Sequence, residues 1–256
     1  MGTSARQIIP NLETGKVQLL VPIYNEGENV ATLYRRLIED SVPFDFLTFV
    51  YDLDSETGLP HIAQIRARDE RVRAYKNTFG PGVLNALRFG FSRSQDGPVI
   101  VMMGDNSDKL SIVPDMIKLW QEGATVVAPS RYMKGGKQNG GGLVKSTLSR
   151  CAGVSLKMVG FPTSDPTNNF KLYDGKWLRE QRIESKGGFE LALELTTKAV
   201  IGKRTVKELP TEWYDRTMGQ SRFRLVKWLP HYLRWYFVAL GYITLGSITL
   251  GIKARR

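Results

Sequence analysis

Short apolar runs that end abruptly in polar side chains recur along the first half of the chain, and amphipathic stretches separate them. Residues 17–23, 46–51 and 99–103 are typical of buried strands, whereas residues 30–38 place apolar side chains on one helical face. Parallel strands need a crossover connection, which is usually a helix. The alternation therefore predicts an α/β fold with a mainly parallel sheet.

The polar clusters at residues 24–26, 52–56 and 105–108 each follow a predicted strand directly. Because the carboxyl ends of parallel strands meet at one edge of a sheet, we expect the three clusters to lie together. Ligands of open α/β sheets bind at this edge.

The same patterns predict further elements along the chain. Helices are expected at residues 61–71, 83–92, 114–122, 143–159 and 187–201, and strands at residues 72–75, 124–128 and 206–209. The glycine-rich residues 134–142 predict a mobile loop.

Composition narrows the class of protein. Hydrophobic residues make up 42% of the chain and charged residues 24%, which indicates a globular protein. The one cysteine, Cys151, excludes a disulfide scaffold, and its place on an apolar helical stripe predicts a core position. Residues 1–16 contain no apolar segment typical of a secretory signal, so we expect the bulk of the chain in the cytosol.

Positive charge and uncharged residues are both concentrated at the C-terminal end. From Lys203 onward the net charge is +8 of the chain's +11, which indicates a membrane surface or a nucleic acid as partner. Residues 235–252 are 18 uncharged positions, the lower limit for crossing about 30 Å of hydrocarbon. We expect a first domain of residues 1–222 and a membrane-associated helical tail of residues 223–256, with a buried C-terminal helix as the alternative. Spanning, re-entrant and interfacial arrangements of the tail are all open at this point.

Two acids at the end of the most apolar strand are candidates for a cation site. Asp105 closes the run, and Asp108 lies three residues further on. Hard divalent cations prefer oxygen ligands. Capping of the following helix is an equally open interpretation, because Asp and Ser are common helix caps.

Two other pairs of charged residues are candidates for chemistry. Arg216 and Arg222 lie on a glycine-containing segment and could clamp a diphosphate, since a guanidinium binds phosphate oxygens bidentately; a solvated basic loop is the alternative. Glu190 and Glu194 are one helical turn apart and could supply a general base. Pairs at this spacing commonly only share a helix face.

Several motifs occur in a fixed order along about residues 17–223. They are Val21-Pro22-Ile23-Tyr24-Asn25-Glu26, Asp52, Gly80-Pro81-Gly82, Gly104-Asp105-Asn106-Ser107-Asp108, Ser130-Arg131-Tyr132 with Gly135-Gly136, residues 165–173, and Asp215-Arg216-x-x-Gly219-x-Ser221-Arg222. This order resembles the family 2 glycosyltransferases, in particular the branch of dolichol-phosphate mannose synthase and the bacterial polyprenyl-phosphate glycosyltransferases.

The resemblance implies a GT-A fold, which is a Rossmann-like, mainly parallel sheet flanked by helices, and an inverting enzyme that uses a GDP- or UDP-linked sugar with Mg²⁺ or Mn²⁺. It implies donor-binding roles for Pro22, Tyr24, Glu26, Asp52, Gly104, Asp105, Arg216 and Arg222. It also implies that the metal is held by Asp105 and Ser107, and the acceptor phosphate by Arg131, Lys145 and Ser149. Catalysis would then depend on Asp105, Arg131 and Arg216.

The chain departs from the family pattern in three places. Met103 stands where the family has the first acid of its Asp-x-Asp signature, so a cation would have fewer carboxylate ligands, for which Asp108 could compensate. Tyr51-Asp52-Leu53-Asp54 replaces an Asp-Asp-Gly-Ser stretch, and Asn168-Asn169-Phe170-Lys171 replaces a Ser-Gly-Phe-Arg-like run.

The expected function is inverting transfer of a sugar from a nucleotide donor to a polyprenyl phosphate, dolichyl or undecaprenyl, on the cytoplasmic side of the membrane. One alternative is transfer to a hydroxyl of a saccharide or lipid, with Glu190 or Glu194 as base. A second is a nucleotide-sugar-binding protein without catalysis, suggested by Met103. Nucleic acid is not expected as a partner, because only the basic tail points to it.

Overall fold

The computed structural model describes residues 15–215 and 225–253. The strands are β1 (Gln18–Ile23), β2 (Phe46–Tyr51), β3 (Val72–Lys76), β4 (Pro98–Val101), β5 (Val126–Ser130), β6 (Lys137–Asn139), β7 (Lys171–Asp174), β8 (Val206–Pro210) and β9 (Glu212–Tyr214). The helices are α1 (Asn29–Glu39), α2 (Leu59–Arg66), α3 (Val83–Ser92), α4 (Val113–Gln121), α5 (Leu143–Met158), α6 (Gly175–Glu180), α7 (Leu191–Ile201) and α8 (Leu225–Lys253).

Seven strands form the central sheet in the order β3-β2-β1-β4-β7-β5-β8. Strand β7 runs antiparallel to both of its neighbours, β4 and β5, and the other pairs in this sheet are parallel. Helices flank the sheet, so the predicted mainly parallel GT-A-like architecture is confirmed.

Consecutive residues of β1 face opposite buried layers, which is why the strand is apolar from Leu19 to Ile23. Leu19 and Val21 pack into a core with α1, α2 and α4, whereas Leu20 packs into a second core with α3, α6 and α7. Gly90 of α3 lies directly on Leu20, where a Cβ atom would come within 2.4 Å of that side chain. Any larger residue at Gly90 would push α3 away from the sheet.

Three differences from the expected elements have physical causes. Strand β7 contains the buried charge of Lys171, which obscures its apolar pattern. The glycine-rich residues 134–142 contain strand β6, because the distant β9 supplies parallel hydrogen bonds to it. Cys151 is exposed rather than in the core, since the stripe of α5 on which it lies faces a cavity and not a packed layer.

Helix α8 packs on the globular part of the chain through one side. Trp235 and Ala239 are buried with Leu156 of α5, Phe161 and Leu193 of α7. Within residues 15–215 and 225–253, no helix combines the length and apolar character needed to cross a membrane. The predicted division between residues 222 and 223 falls outside the described residues and stays a prediction.

Candidate active site

A large cavity of about 1630 Å³ opens at the carboxyl end of the parallel strands. Its lining includes residues that follow β1, β2 and β4 directly, and the predicted edge location of these clusters is confirmed. The donor-site candidates on its wall are Pro22, Tyr24, Glu26, Asp52, Gly104 and Asp105. A Cβ atom on Gly104 would come within 3.1 Å of the Glu26 Cγ atom, so glycine at this position lets the two strand ends lie close together.

The loop after β1 is held by the carboxylate of Glu56, which is buried. This carboxylate accepts hydrogen bonds from the backbone N–H groups of Asn25 and Glu26, and from Gly58 at 3.1 Å. The sequence grouped Glu56 with the residues expected at the ligand edge. In the fold it is instead a support that fixes the backbone of Glu26, which lines the cavity.

Asp52 joins two segments of the cavity wall. One carboxylate oxygen accepts a hydrogen bond from Asn77 Nδ2 at 2.9 Å, and the other accepts one from the Gly82 N–H at 2.7 Å. Gly82 is the N-cap residue directly before α3 and also lines the large cavity. A carboxylate has about four acceptor sites, so Asp52 can hold this wall and still accept a hydrogen bond from a ligand.

The residues that follow β4 fit a divalent cation that is shared with a ligand. The backbone N–H of Ser107 donates to Asp105 Oδ1 at 3.1 Å. Asp105 lines the large cavity, whereas Ser107 is not among the residues that line it. The Ser107 hydroxyl is buried, and no hydrogen-bond partner is found for it among the described residues. Among residues 15–215 and 225–253, no group of three or more His, Cys, Asp or Glu side chains could hold a metal ion together. Mg²⁺ is commonly held by one or two carboxylates plus substrate phosphates, which matches this sparse donor set.

A second cavity of about 610 Å³ adjoins the large one, because Met103 and Phe189 line both. Arg131 and Ser149, two of the predicted phosphate ligands, lie on its wall. Lys145 lies in the first turn of α5, and its side chain is outside the described part of the structure. Arg216 and Arg222 also lie outside the described residues, so their roles stay predictions.

Arg131 follows β5 directly and is held by the buried carboxylate of Asp165. Its Nε and Nη2 atoms donate to the two oxygens of Asp165 at 2.7 and 2.9 Å, and its backbone N–H donates at 3.1 Å. Burial opposes the charge, but the Asp165 carboxylate outweighs it and raises the pKa of Arg131. The Ser149 hydroxyl, which bonds the Thr167 hydroxyl at 2.6 Å, lies 3.5 Å from Nη2. Arg131 is thus a permanently charged group with a fixed direction.

Asp108 faces the second cavity and not the large one. Its carboxylate accepts the Met103 N–H at 3.2 Å. Burial, and after it the neighbouring Asp105 carboxylate, raise the pKa of Asp108 to about 7. The expectation that Asp108 could compensate for Met103 as a ligand in the large cavity finds no support in this placement.

The two glutamates considered as general bases are buried and accept hydrogen bonds from backbone N–H groups. Glu190 accepts hydrogen bonds from the N–H groups of Lys186, Gly187 and Gly188 at 2.6–3.0 Å. Glu194 accepts two from Glu184 and Ser185 and forms an ion pair with Lys198 at 2.8 Å. Both are completely buried. They hold residues 184–187, which line the large cavity, and neither glutamate is among the residues that line either cavity, so the base role considered for the hydroxyl alternative finds no support in their placement.

Glu190→Gln is expected to destabilise the fold by about 1–3 kcal/mol, because an amide nitrogen would replace an acceptor oxygen opposite backbone donors. Urea denaturation measures this loss, with the exposed Glu180→Gln on α6 as control. The pH dependence of turnover should not change. A variant of wild-type stability with abolished turnover would restore the base hypothesis.

Sequence reasoning did not assign a role to Asp165 or Glu56, the two carboxylates that position the site. Asp165 lies in the motif of residues 165–173, and Glu56 lies in a polar cluster after β2. Their positions within these segments are the one sequence signal that marks them, because their hydrogen-bond partners Arg131 and Glu26 are 34 and 30 residues away along the chain.

Comparison with known proteins identifies the group to which this site belongs. The family model for glycosyl transferase family 2 matches residues 19–180. A dolichol-phosphate mannosyltransferase from Pyrococcus furiosus is 25% identical over 234 residues, which cover 83% of this chain and 64% of the relative. An uncharacterized glycosyltransferase of Bacillus subtilis, YkcC, is 26% identical over 217 residues, with 82% and 64% covered. The chain therefore spans slightly less than two thirds of the length of these relatives.

Solved structures agree with the fold. Glucosyl-3-phosphoglycerate synthase from Mycobacterium tuberculosis, in complex with Mn²⁺, UDP and glucosyl-3-phosphoglycerate, has a TM-score of 0.61 and 13% sequence identity. The match covers 90% of this chain and 80% of that one. The same enzyme crystallised with Mg²⁺ and UDP also gives a TM-score of 0.61.

Proposed function

Because the chain belongs to glycosyl transferase family 2, we propose that it transfers a sugar, with inversion, from a nucleoside-diphosphate sugar to a polyprenyl phosphate at a membrane surface. The observation that carries this proposal is the pair of adjoining cavities. The large one is lined by strand-end acids, and the second is lined by Arg131, Ser149 and apolar side chains. The similarity to a dolichol-phosphate mannosyltransferase supports the choice of acceptor.

The donor occupies the large cavity in this proposal. Its nucleoside contacts the β1 and β2 ends at Tyr24, Glu26 and Asp52, and its diphosphate lies toward Asp105. Mg²⁺ or Mn²⁺, held by Asp105 and Ser107, would neutralise charge on the leaving diphosphate. The chain's own contribution is orientation, since Glu56 and Asp52 fix the two loops against which the nucleoside binds.

The acceptor phosphate occupies the second cavity at Arg131. The second pKa of a phosphate monoester is about 6, so at neutral pH it is mostly a dianion and needs no proton acceptor. A positive group must hold it toward the sugar. The Nε and Nη2 atoms of Arg131 donate to Asp165, so the phosphate would bind the Nη1 side of the guanidinium. Transfer to a hydroxyl would require a base, and Glu190 and Glu194 are not available for that role.

The mouth of the second cavity suits a lipid. Leu148, Leu229 and Leu233 line the cavity and are also 42%, 37% and 41% exposed, so an apolar path leads from the surface to Arg131. Phe237 and Leu245 continue this surface along α8 at 60% and 66% exposure. Exposed apolar patches of this kind mark membrane or partner contacts. This patch supports the proposal that the outer face of α8 touches a membrane, and the cytoplasmic side stays a prediction.

The function is tested by a screen of radiolabelled GDP- and UDP-linked sugars with polyprenyl phosphate in detergent, followed by lipid extraction. One donor is expected to give a lipid-linked sugar in the presence of Mg²⁺ or Mn²⁺. If a saccharide hydroxyl takes the sugar instead, the hydroxyl alternative replaces this proposal. If no common donor gives lipid-linked product, the proposal fails.

Phe237→Glu is expected to weaken binding to phosphatidylcholine–phosphatidylglycerol vesicles by roughly tenfold or more, because burial of a Phe side chain contributes about 1.5–3 kcal/mol. Vesicle co-sedimentation measures the effect. Ile38→Glu on α1, which replaces a side chain that is also exposed, is the control and should bind as wild type does. Equal binding of all three proteins would contradict the proposed membrane surface.

A further inference from the structure

Lys171 lies completely buried on β7, behind the loop that forms part of the floor of the second cavity. Its ammonium group donates to the backbone carbonyls of Asp165 at 3.1 Å and Asn168 at 2.6 Å. These carbonyls lie at the two ends of a loop whose side chains face Arg131 and the second cavity, namely Asp165, Thr167 and Asn168. Lys171 thus ties both ends of that loop to the sheet.

The buried amine is costly and needs an explanation. An apolar side chain of similar length would fill the same space without desolvating a charge. No carboxylate is hydrogen-bonded to the Lys171 amine among the described residues, although Asp165 and Glu208 are close enough to favour its charge. Burial outweighs them and lowers the pKa of Lys171 to about 7.

The charges around Arg131 show what the amine would add. Asp165 cancels the charge of Arg131, so the pair alone presents little net charge to an approaching phosphate. A protonated Lys171 behind the same loop adds one positive charge beside the Arg131–Asp165 pair, and Glu208 is the other carboxylate that faces the amine. We propose that Lys171 is a positioning residue for the acceptor phosphate: it holds the 165–168 loop and adds a positive charge behind the Arg131 site. This inference rests on the proposed acceptor.

The test measures binding of farnesyl monophosphate by isothermal titration calorimetry, so it does not depend on knowledge of the donor sugar. Lys171→Met is expected to raise the Kd roughly tenfold or more, because it removes a charge from a low-dielectric site. Lys171→Arg should restore tight binding. UDP and GDP binding in the large cavity should be unchanged in both variants. Lys118→Met, which removes an exposed charge on α4, is the control.

A purely structural role for Lys171 would not give the pH dependence expected here. The ratio of wild-type to Lys171→Arg Kd should be near one at pH 6 and rise several-fold by pH 9, since the guanidinium keeps its charge and the amine loses it. Ionisation of the ligand is common to both proteins and cancels in the ratio. The charged groups that face Lys171, which are Asp165, Arg131 and Glu208, are also common to both.

Each outcome decides the matter. Unchanged binding by Lys171→Met, or a ratio that stays constant with pH, would overturn the inference while leaving the proposed function intact. If Lys171→Met does not fold, the pH profile of Lys171→Arg still provides the decision. If the wild type does not bind farnesyl monophosphate, the proposed acceptor fails and the inference fails with it.

Discussion

Asp105→Asn is expected to reduce sugar transfer by roughly a hundredfold to a thousandfold, because the carboxylate would hold the Mg²⁺ or Mn²⁺ that stabilises negative charge on the leaving diphosphate. The asparagine keeps the Oδ1 atom that accepts the Ser107 N–H, so the turn after β4 should be preserved. What is lost is the carboxylate charge that faces the large cavity. Steady-state transfer with the donor found in the screen measures the effect.

Asp54→Asn is the matched control for Asp105→Asn. Asp54 also follows a strand of the sheet, but its side chain is 77% exposed and pairs with Lys76. Nucleotide binding should depend on Mn²⁺ in the wild type and lose that dependence in Asp105→Asn alone. Transfer by Asp105→Asn within about threefold of the wild-type rate would show that this carboxylate, and a cation held by it, does not contribute to the reaction.

Arg131→Met is expected to abolish transfer and also to destabilise the fold by roughly 3–5 kcal/mol, because it leaves the Asp165 carboxylate buried without its ionic partner. The two effects have separate causes. One is the loss of the acceptor's phosphate ligand, and the other is an uncompensated charge in the protein interior. Urea denaturation measures the second effect and lipid extraction measures the first.

The double variant Arg131→Met/Asp165→Asn separates these causes. Removing the carboxylate charge should recover much of the lost stability, whereas transfer should stay absent because no guanidinium faces the second cavity. Recovery of transfer together with stability would show that Arg131 is only a structural partner of Asp165. UDP and GDP binding in the large cavity should be equal in the single variant, the double variant and the wild type.

The location of the large cavity could be predicted from the sequence. Apolar runs such as residues 17–23 and 99–103 indicate strands buried on both faces, and polar residues directly after them must lie at the ligand-binding edge of a parallel sheet. Asp52 and Asp105 were found in this way, without knowledge of their contacts. The order of motifs then supplied the roles of Arg131 and Ser149, which neighbouring strands and helices bring to an adjoining cavity.

The use of each carboxylate could not be predicted in the same way. Glu56, Glu194 and Asp105 are all acids in polar or amphipathic segments. The carboxylates of Glu56 and Glu194 accept hydrogen bonds from backbone N–H groups as far as 31 residues away, whereas Asp105 lines a cavity. Cys151 was misplaced for the same reason, because a helical stripe does not reveal whether it meets a packed layer or an open space.

Local patterns of apolar residues were enough to predict the layered α/β architecture and the edge at which its polar residues lie, because they show which strands are buried. Which charged groups a ligand can reach depends on long-range contacts in the folded chain. Availability depends on whether donors from distant segments, such as Arg131 for Asp165 or the N–H groups of residues 184 and 185 for Glu194, already satisfy a buried charge. Those contacts exist only after the chain has folded.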